Sequence, residues 1–354
     1  MRLWKRMLLT AAAVMAVGIG GCRSSSETPP PRLIPVGDAM RERGEELKTA
    51  WQSFPIRGTV VTAATRRFYR GRDESLFERL SILGVNRLYL ELEDRDDLDD
   101  LIDSGRLAEI VRAAGEAEIG VEPLLIQRRF MPERYGSVIR RHNQGERQPL
   151  LEAVACILRY NDEAAPEAKL AGLAVAASPH TFRRGDDHLP ANLLYLWSED
   201  RYGAGGDNDK LLHEWFQLLA EVAGMTESHL PLTASFPAFY RSRAAAGDLS
   251  IGSVTDFLGW SDRAWVIGSG SRPSQLLDSL LASLDDAATG EQRILCGVEL
   301  AAHLSEESGA LRRRDWQDLL RSLKTLSEKI RDNRAAAGIV LDPWDRLEWL
   351  WEQE

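Results

Sequence analysis

From Gly58 onward, short runs of β-branched and aliphatic residues alternate with longer stretches in which apolar residues recur every three or four positions. The short runs begin near Gly58 (GTVVTA), Asn86 (NRLYLEL), Ile119 (IGVEPLLI), Leu170 (LAGLAVAA), Leu230 (LPLTASF), Val254 (VTDFLGW), Arg293 (RILCGVEL) and Gly338 (GIVLD), and predict eight strands. Between them the spacing predicts helices. Leu76, Phe77, Leu80 and Leu83 share one face, with Asp73 placed to cap the start and Gly84 to stop the end. Leu211, Leu212, Trp215, Phe216, Leu219 and Val222 form a second such face, and Trp316, Leu319, Leu320, Leu323 and Leu326 a third. Asp342-Pro343 opens a last helix, with Pro at its first position and Leu347, Leu350 and Trp351 on its apolar side. Strand and helix alternating eight times predict a single (β/α)8 TIM barrel. A doubly wound sheet would use the same alternation, but no G-x-G-x-x-G follows a strand and no P-loop occurs.

The first residues have a different pattern. Arg2, Lys5 and Arg6 precede the apolar run LLTAAAVMAVGIG, which is shorter than the about 20 residues a membrane span needs and suits a signal peptide. The run ends in IGGC, and Ile19, Gly20 and Gly21 before Cys22 resemble the lipobox of bacterial lipoproteins. That resemblance implies cleavage before Cys22, a lipid (palmitate among the acyl chains) on its sulfur and a place in the cell envelope. An ordinary secretory signal with a chance cysteine is the alternative. Arg23 after the cysteine, where an Asp would retain the protein at the inner membrane, favours the outer membrane by the same resemblance. RSSSETPPPRLIPVGD then reads as a tether, and AMRERGEELKTAWQSF as a charged helical stretch. The chain thus divides into a signal peptide at 1–21, a tether with a helical segment at 22–50, and the barrel at 51–354.

Charge and cysteine content narrow the partners. The chain is 44% hydrophobic with a formal charge of −10, and cleavage before Cys22 removes three cations and no acid, giving −13. Such an acidic protein is a poor match for the phosphate backbone, so no nucleic-acid partner is expected. Cys156 and Cys296 sit in apolar contexts and read as buried free thiols. No Cys/His metal spacing or cofactor motif is present, so neither a metal nor a cofactor is expected.

Barrels of this class keep their chemistry at the C-terminal ends of the strands. Those positions hold Thr65, Arg66 and Arg67 after strand 1, Glu91 and Glu93 at strand 2, and Gln127, Arg128 and Arg129 at strand 3. Strand 4 supplies Ser178, His180, Arg183 and Arg184, and strand 5 Phe236, Phe239, Tyr240 and Arg241. Trp260, Asp262 and Arg263 follow the expected strand 6, Glu299 ends strand 7, and Asp342, Trp344 and Asp345 close strand 8. Glu91 and Glu299 lie in otherwise apolar strands, where burial demands a partner or a function, and they are the candidate catalytic residues. Arg66, Arg67, Arg128, Arg183, Arg184, His180, Tyr240, Trp260, Asp262 and Asp342 are the candidate ligand contacts. Trp260, Trp344, Phe239 and Tyr240 are candidate sugar-stacking platforms; aromatics that merely lid the core are the alternative.

This layout resembles the glycoside-hydrolase barrels in which an acid/base carboxyl ends strand 4 and a nucleophilic Glu ends strand 7. GVELAA carries Glu299 at the strand-7 position, and GIVLDPWDRL resembles the closing strand and helix of that group. GLAVAASPH resembles its G-[IL]-x-[LV]-D-x-E-P-[HY] pattern, with Gly172, Leu173, Val175, Pro179 and His180 in place, but Ala176 and Ser178 stand where Asp and Glu belong. Alternation puts Ala174, Ala176 and Ser178 on the interior face if Val175 packs on helices. A Ser hydroxyl cannot act as a general acid near neutral pH. The resemblance therefore implies a saccharide-binding barrel with weak or no conventional hydrolase activity. One alternative is an active glycosidase using Glu299 with a loop acid, Asp186, Asp187 or Asp200; another is a structural or assembly lipoprotein. Arginines after several strand ends (Arg66, Arg67, Arg128, Arg129, Arg183, Arg184, Arg241 and Arg263) further suggest an anionic glycan or envelope polymer, unless they pair with nearby acids.

Overall fold

The computed structural model describes residues 33–126, 130, 144–176, 208–227, 229–247, 249–268, 273–286, 293–300 and 316–352. Eight parallel strands close into one barrel in sequence order: β1 (Ile56–Val61), β2 (Arg87–Glu91), β3 (Gly120–Ile126), β4 (Leu173–Ala176), β5 (Leu232–Pro237), β6 (Arg263–Ile267), β7 (Ile294–Glu299) and β8 (Ala336–Asp342). The expected (β/α)8 barrel is present.

Alternation along each strand sorts the residues. Val60, Tyr89, Leu124, Ala174, Trp265, Leu295 and Val340 pack together in the interior, with Ile56, Ile126, Ala176 and Ile267 against them. Residues of the opposite parity, such as Leu88, Val175, Val266 and Ile339, are also fully buried, because helices cover the outside of the sheet. A register shift between Ile294 and Leu295 pairs Ile294 with Ala336 but Leu295 with Gly338. The extra residue, Ala337, resets the alternation so that Gly338, Val340 and Asp342 face inward. Closure of β8 on β1 brings the backbones so near that a Cβ at Gly338 would fall 2.0 Å from the Ile56 carbonyl oxygen. Only glycine fits there.

The outer layer follows the periodicity. Helix α1 (Asp38–Trp51) belongs to the same compact unit as the barrel, Val36–Glu354. Its Trp51 indole donates to the Leu83 carbonyl at 3.0 Å, and Trp351 donates to the Met40 carbonyl at 2.7 Å. Helices α2 (Ala63–Phe68) and α3 (Asp73–Ile82) follow β1, and Leu76, Phe77, Leu80 and Leu83 are buried as expected. Asp73 is the first helical residue rather than the cap, and its carboxylate is held by Arg106; Gly84 does end the segment, at φ +76°. Helices α4 (Arg95–Asp103), α5 (Arg106–Glu116), α6 (Gln144–Glu163) and α7 (Asn208–Thr226) come next, and Leu212, Trp215, Phe216, Leu219 and Val222 are buried on α7.

The stretch VTDFLGW is a correction. Val254–Leu258 is not a strand but a short helix, α9, which follows α8 (Phe239–Ala245). Ser253 accepts from the Asp256 backbone N–H at 3.2 Å while the Asp256 carboxylate takes the Ser253 N–H at 2.8 Å, a reciprocal cap that starts a helix. Strand 6 is the later RAWVI. Trp260, Asp262 and Arg263 therefore stand at the N-terminal end of β6, away from the mouth. Helices α10 (Pro273–Asp286), α11 (Trp316–Ile330) and α12 (Trp344–Glu352) complete the order. The last helix begins at Trp344, after a cis Asp342–Pro343 bond, so Pro343 precedes the helix instead of opening it. Among the described residues no helix is long and apolar enough to cross a membrane.

Candidate active site at the barrel mouth

Three acids occupy interior positions at the C-terminal ends of neighbouring strands. Glu91 lies two residues beyond the interior Tyr89, Glu299 four beyond Leu295 and Asp342 two beyond Val340, so all three share the inward parity. Glu299 and Asp342 are register partners on adjacent strands, whose axes run about 4.8 Å apart. Glu91 is one strand further round, across β1. It is 9% exposed.

Within this trio, Glu299 and Asp342 are both pushed toward the protonated form. Burial raises the Asp342 carboxyl most, the charges of Glu299, Glu91 and Asp345 add to it, and together they push it up to about 8. Burial alone raises Glu299. Neither receives a hydrogen bond or a cation among the described residues that would lower it again. Two carboxyls placed this way cannot both ionise cheaply, so near neutral pH Asp342 keeps a proton while Glu299 is the better placed to give one up. A protonated acid beside a carboxylate is the pair that acid–base chemistry needs. No group of three or more His, Cys, Asp or Glu among the described residues is arranged to hold a metal.

On strand 4 the interior position is indeed Ala176, packed on the barrel core. Asp342, expected only as a ligand contact, is the acid that the structure singles out.

The four candidate arginines that lie among the described residues are engaged. Arg66 bonds Asp97 at 2.6 Å, and Arg67 grips Glu93 with both terminal nitrogens at 2.6 and 3.0 Å. Arg241 holds Asp286 at 2.5 and 3.0 Å, and Arg263 pairs with Glu122 inside the barrel's opposite end. The expected crowding of cations on one face does not extend to these four, because each has an acid within reach. Tyr240 is fully buried in edge contact with Phe239 and stacked over Phe257, which leaves it no face for a sugar. Trp344 is likewise buried. Trp260 is 48% exposed but belongs to the far end of β6, where the Asp262 carboxylate accepts the Leu232 N–H at 2.7 Å. Cys296 is buried, with its thiol pushed up to about 12, and Cys156 is half-buried beside Asp99. Cys22, Gln127, Arg128, Arg129, Ser178, His180, Arg183, Arg184, Asp186, Asp187 and Asp200 lie outside the described residues.

No family model and no curated protein matches this chain. Among solved structures it is similar to a GH18 chitinase from Pseudoalteromonas aurantia (TM-score 0.48, 10% identity, 83% of this chain and 96% of that one). It is similar also to a chitinase from Bacteroides thetaiotaomicron (TM-score 0.46, 10% identity, covering 83% and 90%). A D-psicose 3-epimerase is another match (TM-score 0.42, 10% identity, 81% and 84%).

Proposed function

We propose that the barrel mouth is a saccharide site at which Glu91, Glu299 and Asp342 are the reacting groups. The observation that carries this is the register pairing of Glu299 with Asp342, buried together and without a described cation, so that one of them is protonated near neutral pH. Glycoside cleavage needs a carboxylic acid to protonate the leaving oxygen and a carboxylate to attack or to activate water. Asp342 takes the first role. Glu299, or Glu91 across β1, takes the second. What points to a sugar is the likeness of GVELAA, GLAVAASPH and GIVLDPWDRL to sugar-hydrolase motifs. The acid in this reading comes from strand 8, not from the loop after strand 4.

A second reading is supported by Ala176. A barrel that has a methyl group where its relatives in pattern keep an acid can bind glycans without turning them over. A panel of 4-nitrophenyl glycosides and the matching unactivated oligosaccharides separates the two. The first reading expects turnover of both kinds, reduced by about 10²–10⁴ in Glu299→Gln and in Asp342→Asn. Saturable oligosaccharide binding without turnover supports the second. Absence of both binding and turnover would reject the saccharide assignment.

We also infer that the barrel is displayed on a membrane of the bacterial envelope, the outer one where there are two, through lipid on Cys22. The basic segment, the apolar run and IGGC support this. Cys22→Ser should release the protein into the soluble fraction or stall its processing; unchanged membrane fractionation and cleavage would refute it.

A further inference from the structure

The strand registers fix which residues face one another across the barrel axis. Strands in such a barrel tilt, so a given height is reached about one residue later on each successive strand. Interior side chains therefore form layers of four, drawn from alternate strands. Applied to the registers of all eight strand pairs, this puts Glu91, Ala176, Ile267 and Asp342 in one layer at the mouth. Thr62, Ile126, Pro237 and Glu299 fall in the layer just above it. In the first layer Asp342 on β8 stands opposite Ala176 on β4, and Glu91 on β2 opposite Ile267 on β6. In the second, Glu299 on β7 stands opposite Ile126 on β3. Each acid thus has an aliphatic residue across the axis.

The two walls differ in chemistry. From β7 round to β2, Glu299, Asp342, Thr62 and Glu91 can all hydrogen-bond. From β3 to β6, Ile126, Ala176, Pro237 and Ile267 have no side-chain donor or acceptor. Ile126, Ala176 and Ile267 pack on the barrel core yet are only half-buried, so part of each stays uncovered at the mouth end. A hydroxyl turned onto that wall would lose its water and find no side-chain partner among these residues. A methyl group would lose nothing there. Ala176, the smallest side chain of the wall, leaves room for one directly across from Asp342. With Glu299 and Asp342 acting at the anomeric carbon, the aliphatic wall meets the far edge of the sugar ring, where C5 carries its exocyclic substituent.

We propose that the sugar unit held at the mouth is a 6-deoxyhexose, its C6 methyl set against Ala176, Ile126 and Ile267. This deepens the saccharide reading and rests on it. Saturation-transfer NMR titrations of the whole protein with D-fucose and D-galactose, L-rhamnose and L-mannose, and D-quinovose and D-glucose are the test. The members of each pair differ only in the C6 hydroxyl. In the pair whose ring configuration fits, the deoxy sugar should bind about 10- to 100-fold tighter, and its methyl protons should take up the most saturation. Ala176→Ser and Ile126→Thr each put a hydroxyl on the wall with little change of size. Either should cut that preference by about 3-fold or more. Equal or tighter binding of the parent hexose in every pair would overturn the inference and leave the saccharide site standing, as would a preference that neither variant lessens. No binding of any of these sugars would overturn it as well, and the oligosaccharide panel above then decides the saccharide reading separately.

Discussion

Glu122 and Asp342 are acids turned into the same barrel near its two ends, and the chain treats them in opposite ways. Glu122 is surrounded by Arg263, Arg87 and Thr233, so its charge is matched where it is buried. Asp342 has Glu299, Glu91 and Asp345 for electrostatic neighbours, and these make its ionisation harder. Matched charge contributes to holding the strands in register. Unmatched charge costs stability, and a fold retains it where the proton it holds is put to use. One barrel thus contains both kinds of buried acid, and the neighbours distinguish them better than depth does.

Removing each acid should therefore have effects of different sign. Glu122→Gln leaves two guanidiniums facing a neutral amide, and breaking a buried pair from one side costs about 3–5 kcal/mol. Urea unfolding should show this loss; a cost below about 1 kcal/mol would mean the pairing contributes little. Asp342→Asn should do the reverse at alkaline pH. Because the folded chain raises Asp342 to about 8, it binds that proton more tightly than the unfolded chain. Stability then falls as pH rises from the unfolded carboxyl's range, near 4, to about 8, and levels off beyond. Asp342→Asn removes that slope, so the variant should gain on the wild type by about 1 kcal/mol or more at pH 8 and by almost nothing near pH 4. Parallel stability–pH curves for the two proteins would contradict the unmatched state of Asp342.

The smallest effect belongs to Arg67, whose pairing with Glu93 is exposed to water at 59% and 40% side-chain accessibility. Arg67→Ala should leave the unfolding midpoint and glycan binding where they were. A loss of binding to an acidic glycan, absent with a neutral one, would return this arginine to the ligand site.

Much of the architecture was legible from periodicity. The runs at Gly58, Asn86, Ile119, Leu170, Leu230, Arg293 and Gly338 overlap strands 1 to 5, 7 and 8, because alternation and β-branched residues report a buried parallel sheet directly. Strand 6 was missed for a local reason. VTDFLGW has strand-like residues, yet Ser253 and Asp256 at cap spacing and Val254 and Phe257 three apart carry the helical signal. The true strand opens with Arg263, a charge that pattern reading places outside, and its guanidinium is buried against Glu122 from β3. That partner is 141 residues away in sequence. The same distance hid Glu122. It lies in an apolar strand just as Glu91 and Glu299 do, and only the fold shows which acid meets arginines and which meets other acids. At the mouth, the sequence pointed to Glu91, Glu299 and Asp342, but which of them holds a proton follows from burial and cross-strand register.

The protonation of Asp342 at neutral pH is the claim on which the acid–base reading rests. Difference infrared spectra of the wild type between about pH 6 and about pH 9 read it directly, through the carbonyl stretch of a neutral carboxylic acid. The band should be present at the lower pH, fade with a midpoint near 8 as the pH rises, and be missing from Asp342→Asn. A wild-type spectrum with no such band at neutral pH, or one that Asp342→Asn leaves unchanged, would contradict the account.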